Sequence, residues 1–147
     1  MAEATPPDRH GAGWALLFSA WLIALFASLA VLFVGEVMGQ TPCNLCWFQR
    51  AFMFPLAVVL GVASWRGDAS VWRYGLPLAI CGLLVAGFHT LLYMGAIPER
   101  IKPCSQGGAC TGADMTVLGG LPLPVLAVAA FGAVLVLLLM TRSRTHR

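Results

Sequence analysis

Charged residues are scarce in this sequence. Aspartate, glutamate, lysine and arginine make up 10% of its 147 residues, whereas 59% are hydrophobic and the mean hydropathy is +0.83. A soluble domain of this length carries far more charge, so the composition excludes one and indicates a chain embedded in a lipid bilayer. The formal net charge of +3 is small and the arginines are scattered at the ends of apolar runs, so we expect no nucleic-acid partner.

Motifs for the common redox cofactors are absent as well. The sequence has no GxGxxG fingerprint after a predicted strand and no phosphate-binding loop. Its CxxC motif is followed by Trp47, where haem attachment needs histidine. Nicotinamide, flavin and haem are therefore unsupported as electron acceptors.

Four apolar stretches are each near the roughly 20 residues that cross a hydrocarbon core of about 30 Å. Prolines and glycines inside them suit a membrane bundle, in which neighbouring helices satisfy the backbone. The first stretch is too long for a secretory signal, so we interpret it as a span. The sequence thus predicts one all-α domain over residues 1–147, a four-transmembrane-helix bundle with spans at about 14–34, 46–65, 74–97 and 121–140.

Basic residues are unevenly distributed between the two sides of this bundle. Because lysine and arginine prefer the cytoplasmic side, both termini and the loop between the second and third spans are predicted to be cytoplasmic. Two loops then face outward, one from Gly35 to about Leu45, at the edge of which Cys46 lies, and one from Pro98 to Gly120. The predicted cytoplasmic side holds Arg9, Arg66, Arg73, Arg142, Arg144 and Arg147, and the other side holds Arg50, Arg100 and Lys102.

Four of the five cysteines lie in the two outward loops, Cys43 and Cys46 in the first and Cys104 and Cys110 in the second. Because two spans separate the loops, both pairs lie on the same face of the membrane whichever orientation is correct. In the predicted orientation this face is extracytoplasmic, where thiol oxidation is routine. The fifth, Cys81, falls in the middle of the third span and is interpreted as a small packing residue.

The first pair forms a CxxC motif, Cys43 to Cys46, whose spacing lets two thiols close a small redox-active ring. Thr41 and Pro42 precede it and predict a helix N-cap followed by proline at the first helical position. Cys46 is then expected near the positive end of the helix dipole, with Arg50 one turn away. Both features predict that Cys46 is a thiolate.

The second pair lies in a polar, glycine-rich segment that is typical of an accessible loop. Two exchangeable pairs on one face suggest a relay, in which an external dithiol reduces one disulfide and the electrons pass to the other. A quinone in the bilayer is the acceptor left by elimination. His89, an ionisable residue within the third span, is predicted to contact it; the alternative is a histidine satisfied by a neighbouring helix.

Two other interpretations of the four cysteines stay open. They could form static disulfides in a non-enzymatic membrane scaffold, although a bundle held by the bilayer has little need of them. They could also bind zinc through four thiolates. The spacing from Cys104 to Cys110 is unlike that of a usual zinc knuckle, so we expect no metal site.

The segment PCNLCWFQR, Pro42 to Arg50, resembles a motif of the disulfide bond formation protein B family (DsbB, with its Gram-positive counterpart BdbC). The family has PCxxC followed by two bulky residues, a polar residue and arginine. The resemblance runs from the first span to the last, and the short separation of the second cysteine pair is that of the BdbC-like branch. Further matching residues are His89-Thr90, Cys104, Cys110 and Leu118-Gly119.

This resemblance implies a thiol:quinone oxidoreductase of the bacterial cytoplasmic membrane. Its expected partner is a DsbA-like thioredoxin-fold thiol oxidase outside the membrane, and its expected acceptor is ubiquinone or menaquinone. Cys104 would be attacked by the partner and Cys110 would pair with it. The Cys43–Cys46 disulfide would reoxidise them. Arg50 and His89 would bind the quinone beside the Cys46 thiolate.

Overall fold

The structure is a computed structural model, and it describes residues 8–96, 116–117 and 120–145. Its main elements are four long helices. They are α1 Asp8–Leu32, α2 Asn44–Arg66, α3 Trp72–Tyr93 and α4 Leu123–Thr145, with a π-helical turn at Phe33–Val37 after α1 and a 3-10 turn at Ala69–Val71 before α3. Cys104 and Cys110 lie outside the described residues, so their predicted roles stay predictions.

Four helical segments are long and apolar enough to cross a membrane, at Gly13–Val37, Asn44–Arg66, Ala69–Tyr93 and Leu123–Thr145. Large apolar side chains such as Phe26, Val58 and Leu84 are exposed on the surface of the bundle. In water such a surface is unfavourable, but in a bilayer it contacts lipid. The predicted four-span helical fold is confirmed.

The helices pack as a ring, in which α1 contacts α2 and α4, and α3 contacts the same two helices. Leu17, Leu56 and Val134 are among the fully buried residues of the shared core. Gly82 on α3 makes room for the ring of Phe131 on α4, since a Cβ atom there would overlap that ring. Small residues at such contacts are typical of membrane helix packing.

Several span boundaries differ from the predicted ones. The π-helical turn continues the first span to Val37, so Gly35 is helical and not part of a loop. The third helix ends at Tyr93, before the predicted position 97, because Gly95 takes a left-handed conformation with φ of 73°. The fourth helix runs on to Thr145.

A short antiparallel ladder pairs Thr116–Val117 with Leu121–Pro122, just before α4. This is a small local departure from the all-α prediction. Cys81 is exposed on the surface of the bundle, so its interpretation as a packing residue inside the protein is wrong.

Basic residues collect at one end of the bundle. The guanidinium groups of Arg73 and Arg142 lie 5.6 and 5.0 Å from the ring of Trp72, which joins the start of α3 to the end of α4. Arg66 closes α2 at the same end. Arg50 lies near the other end and within the α2 span, so it is not a loop charge.

Candidate functional site

The site is built around the start of α2, where Cys43 is the N-cap residue. Its backbone is extended, with φ −72° and ψ 167°, and its sulfur accepts a hydrogen bond from the backbone N–H of Cys46 at 3.2 Å. The helix therefore begins at Asn44, and the predicted cap at Thr41 with Pro42 in the first turn is wrong. A sulfur has taken the place that an oxygen of serine, threonine or aspartate usually fills.

The two sulfurs of the CxxC motif lie 2.7 Å apart as a hydrogen-bonded thiol pair. Cys43 is completely buried, whereas Cys46 is partly exposed. His89 approaches from α3, and its Nε2 atom lies 3.8 Å from the Cys43 sulfur. Residues from two helices thus converge on one buried sulfur.

His89 is itself held in place by Gln49, whose side-chain Nε2 lies 2.9 Å from Nδ1 of the imidazole. An amide nitrogen only donates, so Nδ1 is the acceptor and the ring hydrogen is on Nε2. This tautomer directs the Nε2–H group of His89 at the Cys43 sulfur. His89 is 1% exposed, so its two ring nitrogens find their hydrogen-bond partners in these neighbouring side chains and not in water.

These contacts favour a negative charge on Cys43. The thiol of Cys46, the Nε2–H of His89 and the Cys46 backbone N–H all donate to its sulfur and outweigh its burial, which lowers the pKa of Cys43 from 9.0 to about 4. The sequence predicted this thiolate at Cys46. In the thiol pair the donors instead meet at the sulfur of Cys43, because the helix begins immediately after this residue.

Arg50 lies one turn further along α2 and is buried. Its Nη2 atom donates to the backbone carbonyl of Val31 at 2.8 Å, and its guanidinium lies 5.3 Å from the ring of Trp47. Gly35 makes room for it, since a Cβ atom there would lie 2.9 Å from Nη2. Within the described part of the chain, the buried Nε of Arg50 has no hydrogen-bond partner.

A cavity of about 430 Å³ lies beside these residues. Its walls are mostly apolar and come from α1, α2, α4 and the segment that leads to Cys43, and none of the described lining residues is acidic. Six polar or reactive side chains are among the described lining residues, namely Gln40, Thr41, Cys46, Gln49, Arg50 and His89. Apolar walls with a few convergent polar groups are typical of small-molecule sites.

The structure thus brings together four of the predicted site residues, Cys43, Cys46, Arg50 and His89. Sequence reasoning missed Gln49 as a site residue, although it lies three positions after Cys46 and therefore on the same face of α2. It also missed the segment at 39–42 as a wall of the cavity. Gly39 has a left-handed backbone with φ of 68° in this segment.

Comparisons with known proteins show the family of this chain. Residues 12–141 match the family described as "Disulfide bond formation protein DsbB". The chain belongs to the DsbB family. It is a multi-pass membrane protein of disulfide bond formation, and the family implies an oxidoreductase.

Several curated proteins are similar to this DsbB-family chain over most of their length. A "Probable disulfide formation protein" of Metapseudomonas resinovorans is 54% identical over 140 residues, which is 95% of this chain and 97% of the relative. "Disulfide bond formation protein C" of Bacillus subtilis (strain 168) is 36% identical, with coverage of 86% and 91%. A "Probable disulfide formation protein" of Deinococcus radiodurans is 42% identical, with coverage of 87% and 89%. No solved structure matches the chain significantly.

Proposed function

We propose that this protein is a thiol:quinone oxidoreductase of the bacterial cytoplasmic membrane. It reoxidises a DsbA-like thioredoxin-fold thiol oxidase and passes the electrons to ubiquinone or menaquinone. The observation that carries the proposal is the cavity between the helices, because a reactive sulfur, a buried cation and an imidazole all line it.

The cavity suits a quinone ring in size and in chemistry. At about 430 Å³ it lies within the range of small-molecule pockets, and its apolar walls match a lipid-soluble ring. Arg50 supplies a positive charge there, and its Nε is a buried donor without a partner among the described residues. Such a donor in a region of low dielectric stabilises negative charge that develops on a carbonyl oxygen.

The two cysteines have different positions relative to the cavity. Cys46 lines it, whereas Cys43 is buried behind it as the helix cap. Forming the disulfide from the Cys43 thiolate and the Cys46 thiol releases two electrons and one proton. A quinone held in the cavity would supply the acceptor for both electrons, and its reduction to a quinol would take that proton and a second one from water. The Nε of Arg50 is a donor without a partner among the described residues, while the Nε2–H of His89 is directed at the Cys43 sulfur.

The burial of Cys43 supports a relay through a second pair. A folded partner protein cannot reach a completely buried sulfur directly, and Cys46 faces the cavity. We therefore assign the contact with the partner to Cys104, with Cys110 as its pairing residue. The Cys43–Cys46 disulfide then reoxidises this second pair by thiol–disulfide exchange. This assignment places the active face on the extracytoplasmic side, as the arginine distribution predicts.

The test is an assay of quinone-dependent thiol loss. The purified protein in lipid nanodiscs is mixed with reduced thioredoxin-fold oxidase, with and without a soluble quinone, and both free thiols and quinol are measured. We expect one quinol for each disulfide formed, and no reaction without quinone. Cys46→Ser should abolish turnover, while Cys81→Ser, which changes a thiol exposed on the bundle surface, should not. Thiol loss that does not depend on quinone would contradict the proposal.

A further inference from the structure

The thiol pair and His89 form a second kind of site, beyond the proposed redox reaction. One ligand atom from each of Cys43, Cys46 and His89 lies within 4.8 Å of the other two. We propose that the reduced protein binds one zinc ion through these three residues, and that the bound ion arrests disulfide formation. The ligand set differs from the four cysteines considered from the sequence, because it contains an imidazole from α3.

The chemistry of the three ligands matches zinc. Thiolate sulfur and imidazole nitrogen are its common protein ligands. Tetrahedral zinc, with bonds of about 2.3 Å to sulfur and about 2.0 Å to nitrogen, holds these atoms about 3.5–3.8 Å apart. The Cys43 sulfur and Nε2 of His89 are already 3.8 Å apart. The two sulfurs, now 2.7 Å apart, must separate by about 1 Å, which a rotation of the partly exposed Cys46 side chain allows.

The surroundings favour the complex in two further ways. Two thiolates cancel the charge of a divalent ion, so the complex with neutral imidazole has no net charge and suits a buried position. Gln49 contacts the ring nitrogen of His89 that faces away from the sulfurs. After rotation of its amide, the Gln49 oxygen accepts from this nitrogen, which is the outer support that metal-bound histidines usually have.

The fourth ligand position opens toward the cavity. Cys46 and His89 both line it, so a water molecule from the cavity can complete the tetrahedron. Three protein ligands with one open position are the arrangement of accessible zinc sites and not of closed structural ones. A bound ion holds both sulfurs as thiolates and thereby prevents their oxidation. In the disulfide state the sulfurs carry no charge to donate, so binding is restricted to the reduced protein.

Binding itself does not rest on the proposed function; only the arrest of turnover does. The binding test therefore uses neither quinone nor partner. The full-length protein is reduced in nanodiscs under anaerobic conditions and titrated with Co²⁺, whose absorption reports tetrahedral geometry and thiolate ligation, and Zn²⁺ is then added in competition. We expect one equivalent of Co²⁺ per chain with thiolate-to-metal absorption, displacement by Zn²⁺, and no such absorption in the disulfide form.

Variants separate this site from the alternatives. His89→Gln and Cys43→Ser should each weaken binding at least a hundredfold, and Gln49→Leu should weaken it about tenfold to a hundredfold, as loss of an outer partner does. The double variant Cys104→Ser/Cys110→Ser should bind as the wild type does, and so should Cys81→Ser. Loss of binding in the double variant would instead indicate a site of four cysteines and overturn the proposal.

Two further results would also overturn it: unchanged affinity in His89→Gln, or the same absorption in the oxidised protein. Gel filtration and thermal unfolding of each variant show whether the fold is retained, and Gln49→Leu keeps all three ligands should His89→Gln fail to fold. A chain that binds Co²⁺ as described but reduces no quinone would contradict the proposed function alone. A chain that turns over with quinone but binds no Co²⁺ would contradict only the zinc site.

Discussion

The Nε2 atom of His89 lies 3.8 Å from the sulfur of Cys43, so a histidine of α3 contacts the residue that caps α2. The same imidazole lines the cavity and accepts from Gln49 at its other nitrogen. His89 therefore contacts both the thiol pair and the cavity. Its predicted contact with a quinone stays a prediction, while its contact with Cys43 is a feature of the structure.

Removing the Gln49 amide should remove the hydrogen bond that holds the imidazole of His89 in place. In Gln49→Leu the imidazole is free to take either tautomer, so its hydrogen bond to Cys43 is lost for part of the time. One such bond contributes about 1 kcal/mol, which corresponds to about a fivefold slower turnover at neutral pH. The acid limb of the pH–rate profile should also move to higher pH, because the Cys43 thiolate is less stabilised.

The matched control for Gln49 is Gln40→Leu, which changes another glutamine that lines the cavity. It should leave the acid limb of the pH–rate profile unchanged. Equal shifts of that limb in the two variants would show that Gln49 only shapes the cavity wall.

The lowered pKa of Cys43 predicts how the reduced protein responds to pH. Its pKa is about 4 in the fold against 9.0 in an unfolded chain, so the unfolded state binds the extra proton between these values. The free energy of unfolding should therefore rise with pH between about 4 and about 9. The stabilisation that the Cys43 thiolate provides is lost as the pH falls to about 4. Denaturation of the reduced protein at several pH values measures this slope.

Comparison with Cys43→Ser isolates the contribution of this thiol, because serine keeps a cap but does not ionise in this range. Between about pH 5 and 8, the free energy of unfolding should rise less steeply with pH in the variant. The difference in slope should correspond to about one bound proton per molecule. An identical slope in both proteins would mean that Cys43 titrates as an ordinary thiol.

Arg50 is expected to act on quinone use and not on thiol exchange. A hydrogen bond from a charged group contributes about 1.5–3 kcal/mol, so Arg50→Ala should raise the apparent Michaelis constant for quinone about tenfold to a hundredfold. Exchange with the reduced partner, followed as mixed-disulfide formation without quinone, should keep its rate. Arg66→Ala, at the opposite end of α2, is the control. An unchanged Michaelis constant in Arg50→Ala would remove the assigned role.

The contact between α3 and α4 should be sensitive to Gly82. In Gly82→Ala the new methyl group overlaps the ring of Phe131, which must move within a packed core. Overpacking of this kind lowers the free energy of unfolding by about 1–3 kcal/mol. Gly87→Ala is the matched control on the same helix, because no atom lies within 4 Å of its added Cβ. Thermal unfolding in detergent should show a lower midpoint for Gly82→Ala only.

The four spans could be predicted from the sequence because length and hydropathy suffice to define a membrane helix. Their ends could not, since each depends on local geometry. The left-handed Gly95 ends α3, and a sulfur caps α2 where Thr41 offered a more usual oxygen. The π-helical turn that holds Gly35 against Arg50 has no recognisable sequence signal.

The site residues were predictable in identity but not in arrangement. Cys43, Cys46, Arg50 and His89 stand out as reactive or ionisable residues in or beside apolar spans. Their mutual contacts depend on how α2 and α3 are rotated about their axes, which one sequence does not reveal. For this reason the thiolate was predicted at Cys46, one helical turn from Arg50, and the contact of Gln49 with His89 was missed.

The cap of α2 is a reacting atom, and this makes the first turn of that helix sensitive to the redox state. As a thiolate, Cys43 accepts from the Cys46 backbone with a full negative charge; as half of a disulfide it offers only a weak neutral acceptor. Amide hydrogens in this turn should therefore exchange with deuterium more slowly in the reduced protein than in the oxidised one. Each catalytic cycle would then tighten and loosen one wall of the pocket that receives the electrons.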